Sequence, residues 1–139
     1  MKPKNYTAFV SFSIAVYDAL VDRGWTRLER CDAPLDGAGK TLVESFPLSA
    51  WRSLRIKALG SKRKTKAADI TARLEDLRTV FPLLVTEEPS HDELQALVSG
   101  LAGIAMERGA SEACVTSGVA PFRHEGIVRE GFIVNPVRL

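Results

Sequence analysis

The sequence predicts one α/β domain, and three observations carry that prediction. Helical and strand-like hydrophobic periodicities succeed each other along the chain, separated by glycine and proline. Apolar residues make up 45% and charged residues 26%, the balance of a globular chain with an ordinary core. The 139 residues leave room for a single domain over residues 1–139. A chain of this size buries roughly two-thirds of its unfolded surface, enough to fold without disulfides or a structural metal.

The elements follow in order. Residues 7–23 predict a helix: Phe9, Phe12, Val16 and Leu20 form a stripe flanked by Ile14, Tyr17 and Val21. A stripe this wide suits packing on a sheet, and Gly24 can end the helix in a left-handed conformation. Pro34, Gly37 and Gly39 mark a loop. Residues 41–46 read as a buried interior strand ended by Pro47, followed by a short helix over residues 50–59 and an exposed loop through Gly60.

Ile70, Leu74, Leu77 and Phe81 set the rhythm of a helix over residues 70–81, with Asp69 as its cap and Pro82 as its stop. Ser90 and Glu93 form a capping box that opens the next helix, whose apolar face is Leu94, Leu97, Val98, Leu101, Ile104 and Ala105. Ser99, Gly100, Ala102 and Gly103 allow a close neighbour, and Gly109 closes this helix. Residues 126–134 read as a final strand or hairpin before Pro136. The expectation is a small mixed sheet packed by three or four helices.

Charge is unevenly spread. Arg52, Arg55, Lys57, Lys62, Arg63, Lys64 and Lys66 fall in one window with no acidic residue, so a chain of net charge +2 is acidic elsewhere. Such a window contacts phosphates or serves as a solvated surface, and Trp51 is the one aromatic beside it for base stacking. Cys31 and Cys114 belong to no CxxC pair, which points to reduced thiols and a reducing compartment. No apolar run is long enough to span a bilayer, and the stretch 8–20 is interrupted by Ser11, Ser13, Tyr17 and Asp18. The expected location is the cytoplasm, with no membrane partner.

Three places invite chemistry. Gly37-Ala38-Gly39-Lys40-Thr41 echoes the end of a phosphate-binding loop, but Pro34 stands where the pattern needs glycine, and a strand follows where a helix should open. It reads as a turn. His91 sits beside Asp92 at a helix start, where the macrodipole favours the Asp92 anion and should depress protonation of His91. Glu44 interrupts an apolar strand, on the face of Leu42 and Phe46 and opposite Val43 and Ser45. There it is solvated at an edge, or paired or cation-bound in an interior strand.

Taken in order, these segments resemble a family of predicted RNase H-like nucleases, domain-of-unknown-function family 429. Val43-Glu44-Ser45-Phe46-Pro47 resembles its glutamate–aromatic–proline strand. Ser61-Lys62-Arg63-Lys64-Thr65-Lys66 and then Arg73-Leu74-Glu75-Asp76-Leu77 are similar to its lysine-rich loop and following helix. Ser90-His91-Asp92-Glu93-Leu94-Gln95-Ala96-Leu97 resembles the opening of its last helix, and Glu130-Gly131-Phe132-Ile133-Val134-Asn135-Pro136 its terminal strand. The likeness spans most of the chain and corresponds to the C-terminal two-thirds of an RNase H-like domain.

What the resemblance implies is metal-dependent phosphodiester hydrolysis, with carboxylates gathered around Mg²⁺ or Mn²⁺. Glu44 and Asp92 are then the catalytic, metal-ligating residues, and Lys62, Arg63, Lys64 and Lys66 the phosphate-binding loop. Two departures point to a weak or inert member. The family's N-terminal strands, with the leading aspartate, have no counterpart, and neutral Gln95 stands at the last-helix aspartate position. Missing strands also imply an open sheet edge, for a homodimer or partner protein to cover. The alternative is a non-catalytic nucleic-acid-binding or assembly module.

Overall fold

The computed structural model describes residues 6–29, 40–129 and 131–138; the expected turn at Pro34 to Gly39, and Cys31, lie outside them. Among the described residues the chain is mixed α/β, with four α-helices and small sheets. Helix α1 (Tyr6–Val21) ends two residues before the expected 23, and Gly24 takes the expected left-handed conformation at φ +83°. Strands β1 (Thr26–Arg27) and β2 (Thr41–Leu42) pair in parallel. The interior strand is shorter than the expected 41–46. After Leu42 it continues as a single parallel bridge between Glu44 and Ile133, where the Val134 N–H donates to the Glu44 carbonyl at 2.8 Å.

Helix α2 (Pro47–Ser53) begins earlier than the expected 50–59. Pro47 opens a helix here as well as ending a strand: at the first helical position its missing N–H is no loss. Arg55, at φ +58°, turns the chain out before residue 59. Helix α3 (Ala67–Arg78) also starts early, with Lys66 at the cap position. Asp69 lies three residues inside, and its carboxylate accepts the Lys66 backbone N–H at 2.9 Å. Helix α4 (His91–Glu107) has the capping box predicted for it. Glu93 N–H donates to Ser90 Oγ at 3.3 Å and Ser90 N–H to Glu93 Oε2 at 2.7 Å.

The C-terminal part holds more strands than the single hairpin expected. A 3₁₀ turn (Ser111–Ala113) leads into β3 (Cys114–Gly118). Strands β4 (Phe122–His124) and β5 (Ile127–Arg129) make their own antiparallel hairpin, with Glu125 and Gly126 at positive φ in the turn. Strand β6 (Phe132–Pro136) runs antiparallel to β3, from Cys114 opposite Pro136 to Gly118 opposite Phe132. The pairs β1–β2 and β3–β6 are separate two-stranded sheets, and the single Glu44–Ile133 bridge links them into one strand layer.

Two apolar clusters hold these parts. The larger packs Ala50, Trp51 and Leu54 of the α2 segment with Leu59, Leu74 and Leu77 and with Leu94, Val98 and Leu101 of α4. Burying a side chain such as Leu77 or Val98, both with no exposed surface, contributes about 1.5–3 kcal/mol. The smaller cluster joins Leu28, Ala102 and Val134, with Val43, Met106, Cys114 and Phe132 against it. Of the small-residue run, Ala102 packs into this cluster, whereas a side chain at Gly100 or Gly103 would find open space.

Helix α1 departs from expectation. Phe9 and Phe12 are 65% and 68% exposed, and Ile14 and Val16 are exposed as well. The helix touches the layer through its C-terminal half, where the Tyr17 hydroxyl donates to the Val43 carbonyl at 3.0 Å and Asp18 pairs with Arg27 at 2.9 Å. Its N-terminal half stands over an open groove.

Candidate functional site

The period-two alternation of an extended strand decides where Glu44 points. Val43 packs into the cluster that contains Ala102 of α4, so its neighbour Glu44 faces the other side of the layer, toward α1. There Leu42, Glu44 and Phe46 line a groove of about 510 Å³, walled by Phe9, Val10, Ile14 and Tyr17 of α1. Glu44 is exposed to solvent at the open side of this groove, and the partial desolvation it does undergo there raises its carboxyl pKa above the ordinary value. Burial does the same for the Tyr17 phenol, with the nearby Glu44 charge adding to the effect and Arg27 opposing it.

Asp92 belongs to a different neighbourhood. It lies in the first turn of α4, exposed, where its carboxylate accepts from Lys62 Nζ at 2.5 Å and stands 3.0 Å from His91 Nδ1. The Lys62 and His91 hydrogen bonds hold the Asp92 carboxyl below its ordinary pKa. His91, with its side chain 13% exposed, places Nε2 3.1 Å from the Gly60 carbonyl. Both of its ring nitrogens therefore face acceptors, and only the imidazolium can donate to both. The expectation that the macrodipole depresses His91 is corrected: the hydrogen bonds to Asp92 and to Gly60 raise its pKa, outweighing the Lys62 charge and partial burial.

The structure thus brings Lys62 to Asp92 and does not bring Glu44 to Asp92. Ala102, at the level of the strand layer, is ten residues along α4 from Asp92, about 15 Å at 1.5 Å per residue. A shared hard cation needs each ligand oxygen at about 2 Å, whereas Glu44 lies among the groove residues and Asp92 among Lys62, His91 and the Gly60 loop. Among the described residues no group of three or more His, Cys, Asp or Glu side chains converges.

Gln95 has its own task. Its Oε1 accepts the indole N–H of the fully buried Trp51 at 2.7 Å, tying α4 to α2. A neutral amide suits that acceptor role without placing a charge beside the core. The basic window is wholly on the surface: Arg52, Arg55, Lys57, Lys62, Arg63, Lys64 and Lys66 are all exposed. The loop carrying the last four is a formed turn, in which the N–H groups of Lys64 and Thr65 both donate to the Ser61 carbonyl. Among the described residues Lys62 has an acidic partner in Asp92, while no ion pair engages Arg63, Lys64 or Lys66.

Reading by sequence missed the Trp51–Gln95 bond, the Gly60 acceptor for His91 and the groove walls contributed by Tyr17, Arg27, Arg123 and Phe132. Each depends on residues far apart in the chain, which no local spacing reports. The fold and sites define a mixed α/β chain with an exposed cationic loop on one part and a carboxylate-bearing apolar groove on another. Comparison with protein-family profiles, curated proteins and solved structures finds no match for this chain.

Proposed function

We propose that this chain is a non-catalytic nucleic-acid-binding module, a divergent relative of the RNase H-like nucleases it resembles, which grips phosphates through Lys62 to Lys66. One observation carries the reading: seven cations between residues 52 and 66 are all exposed, with no acidic residue interspersed. The separation of Glu44 from Asp92, and the engagement of Asp92 by Lys62 and His91, support binding without hydrolysis. With no ring of aromatics for stacking, contact is to the backbone and insensitive to base sequence.

The test is binding to single- and double-stranded DNA and RNA across a salt series, with cleavage followed in Mn²⁺. Each phosphate contact contributes about −0.9 to the slope of log K against log salt on duplex DNA. Replacing Arg63, Lys64 and Lys66 together by glutamine should therefore flatten that slope by about 2–3 units. An unchanged slope, or no binding at low salt, refutes the reading. Mn²⁺-dependent cleavage that disappears in Glu44→Ala would instead restore a nuclease role with Glu44 at its centre.

A further inference from the structure

The groove beneath α1 is separate from the basic loop and holds a chemistry of its own. Its volume, about 510 Å³, lies in the range that encloses a small organic molecule, roughly 300–1,000 Å³. Phe9, Ile14, Leu42, Phe46 and Phe132 make its wall apolar. The polar groups along it are mostly committed. The Tyr17 hydroxyl is spent on the Val43 carbonyl. Arg27 is neutralised by Asp18 at 2.9 Å and lies 5.9 Å from the centre of the Tyr17 ring. Arg123, exposed on the β4 strand, lines the groove as well.

Glu44 and Arg123 are the exceptions, two exposed charges with no ion-pair partner among the described residues, and Glu44 is the one that stands between the apolar Leu42 and Phe46. We propose that this groove binds a small amphiphilic organic cation, an amine with an aromatic or branched alkyl body. The ammonium meets Glu44 while the body covers Phe46 and Phe132. Charge complementarity selects this class. A neutral apolar guest would strip water from Glu44 and return nothing, and an anion would meet repulsion from Glu44 and have only the exposed Arg123 to hold it, which the anion arm of the titration below tests. The proposal is independent of nucleic-acid binding, since none of its residues lies in the basic loop.

The experiment is calorimetric titration of the full chain with 2-phenylethylammonium at neutral pH. Its charge-reversed counterpart 3-phenylpropionate is titrated in parallel. Saturable binding of the amine is expected, at least tenfold tighter than the anion and at least tenfold weakened by Glu44→Gln. Arg123→Gln should leave amine affinity equal or higher. Ile14→Lys, at an exposed position on the groove wall, supplies a competing ammonium and should abolish binding even if Glu44→Gln proves unstable. Equal affinity for amine and anion, no saturation at millimolar amine, or full affinity in Ile14→Lys overturns the proposal. So does sedimentation showing a second copy of the chain, displaced by the amine only at its own dissociation, closing the groove.

Discussion

Replacing Trp51 by phenylalanine tests the junction on which both halves of the helical cluster rely. Trp51 has no exposed surface, and its indole N–H donates to Gln95 Oε1 at 2.7 Å. The substitution removes one hydrogen bond, worth about 1–1.5 kcal/mol when the abandoned acceptor can still reach some water, as half-buried Gln95 can. It also removes part of a packed ring, for about another 1–2 kcal/mol of lost contact and residual cavity. The expected loss is about 2–3.5 kcal/mol out of a total stability on the order of 10 kcal/mol. For a chain of this length that lowers Tm by roughly 6–12 °C.

The assay is urea unfolding followed by far-ultraviolet circular dichroism, because Trp25 would be the sole tryptophan left as a fluorescent reporter. A double-mutant cycle with Gln95→Leu isolates the bond itself and should give a coupling of about 1 kcal/mol. Gln95→Asp should behave like a broken bond, since its side chain is one methylene too short to keep the contact. A loss below about 1 kcal/mol in Trp51→Phe, or a coupling near zero, would refute the claim that Gln95 serves as a structural acceptor.

Two further outcomes follow from local geometry. His91 has a folded pKa raised above its ordinary value of about 6.5, so its stabilisation is complete below that value and fades as pH rises through the folded pKa. Asp92, whose folded pKa is depressed, supports the fold above its ordinary value and loses that support as pH falls through the lower one. Titration by NMR should find His91 above free histidine, and unfolding at pH 6 and pH 8 should differ less in His91→Gln than in the parent; a His91 pKa at or below the free value would refute this. Gly118 sits at φ +103°, and a Cβ there would lie 2.5 Å from the Gly131 carbonyl oxygen. Gly118→Ala should cost at least about 1–3 kcal/mol from backbone strain alone and loosen the β3–β6 pair, read as lost amide protection in hydrogen exchange; undiminished protection would count against that register.

No helix among the described residues is long and apolar enough to cross a membrane. That feature, the existence of helices α3 and α4 (α3 ending at Arg78, short of the expected 81, and α4 closing near Gly109), and the exposed cationic window are all local properties. Each depends on a few neighbouring residues: a capping box, an i, i+4, i+7 rhythm, a run of Lys and Arg without Asp or Glu. Alternation along residues 41–46 likewise separated Glu44 from Val43 and Ser45 without any coordinates.

What alternation leaves open is which of its two faces meets α4. The tertiary structure decided that, by packing Val43 with Ala102 and sending Glu44 to the α1 groove, away from Asp92. It also decided that the last strands divide between two sheets, that Gln95 serves Trp51, and that His91 lies between two acceptors. Local pattern is set by sterics and hydrogen bonding within a turn or two. Pairings between distant segments are set by how whole faces bury one another, a property of the assembled chain.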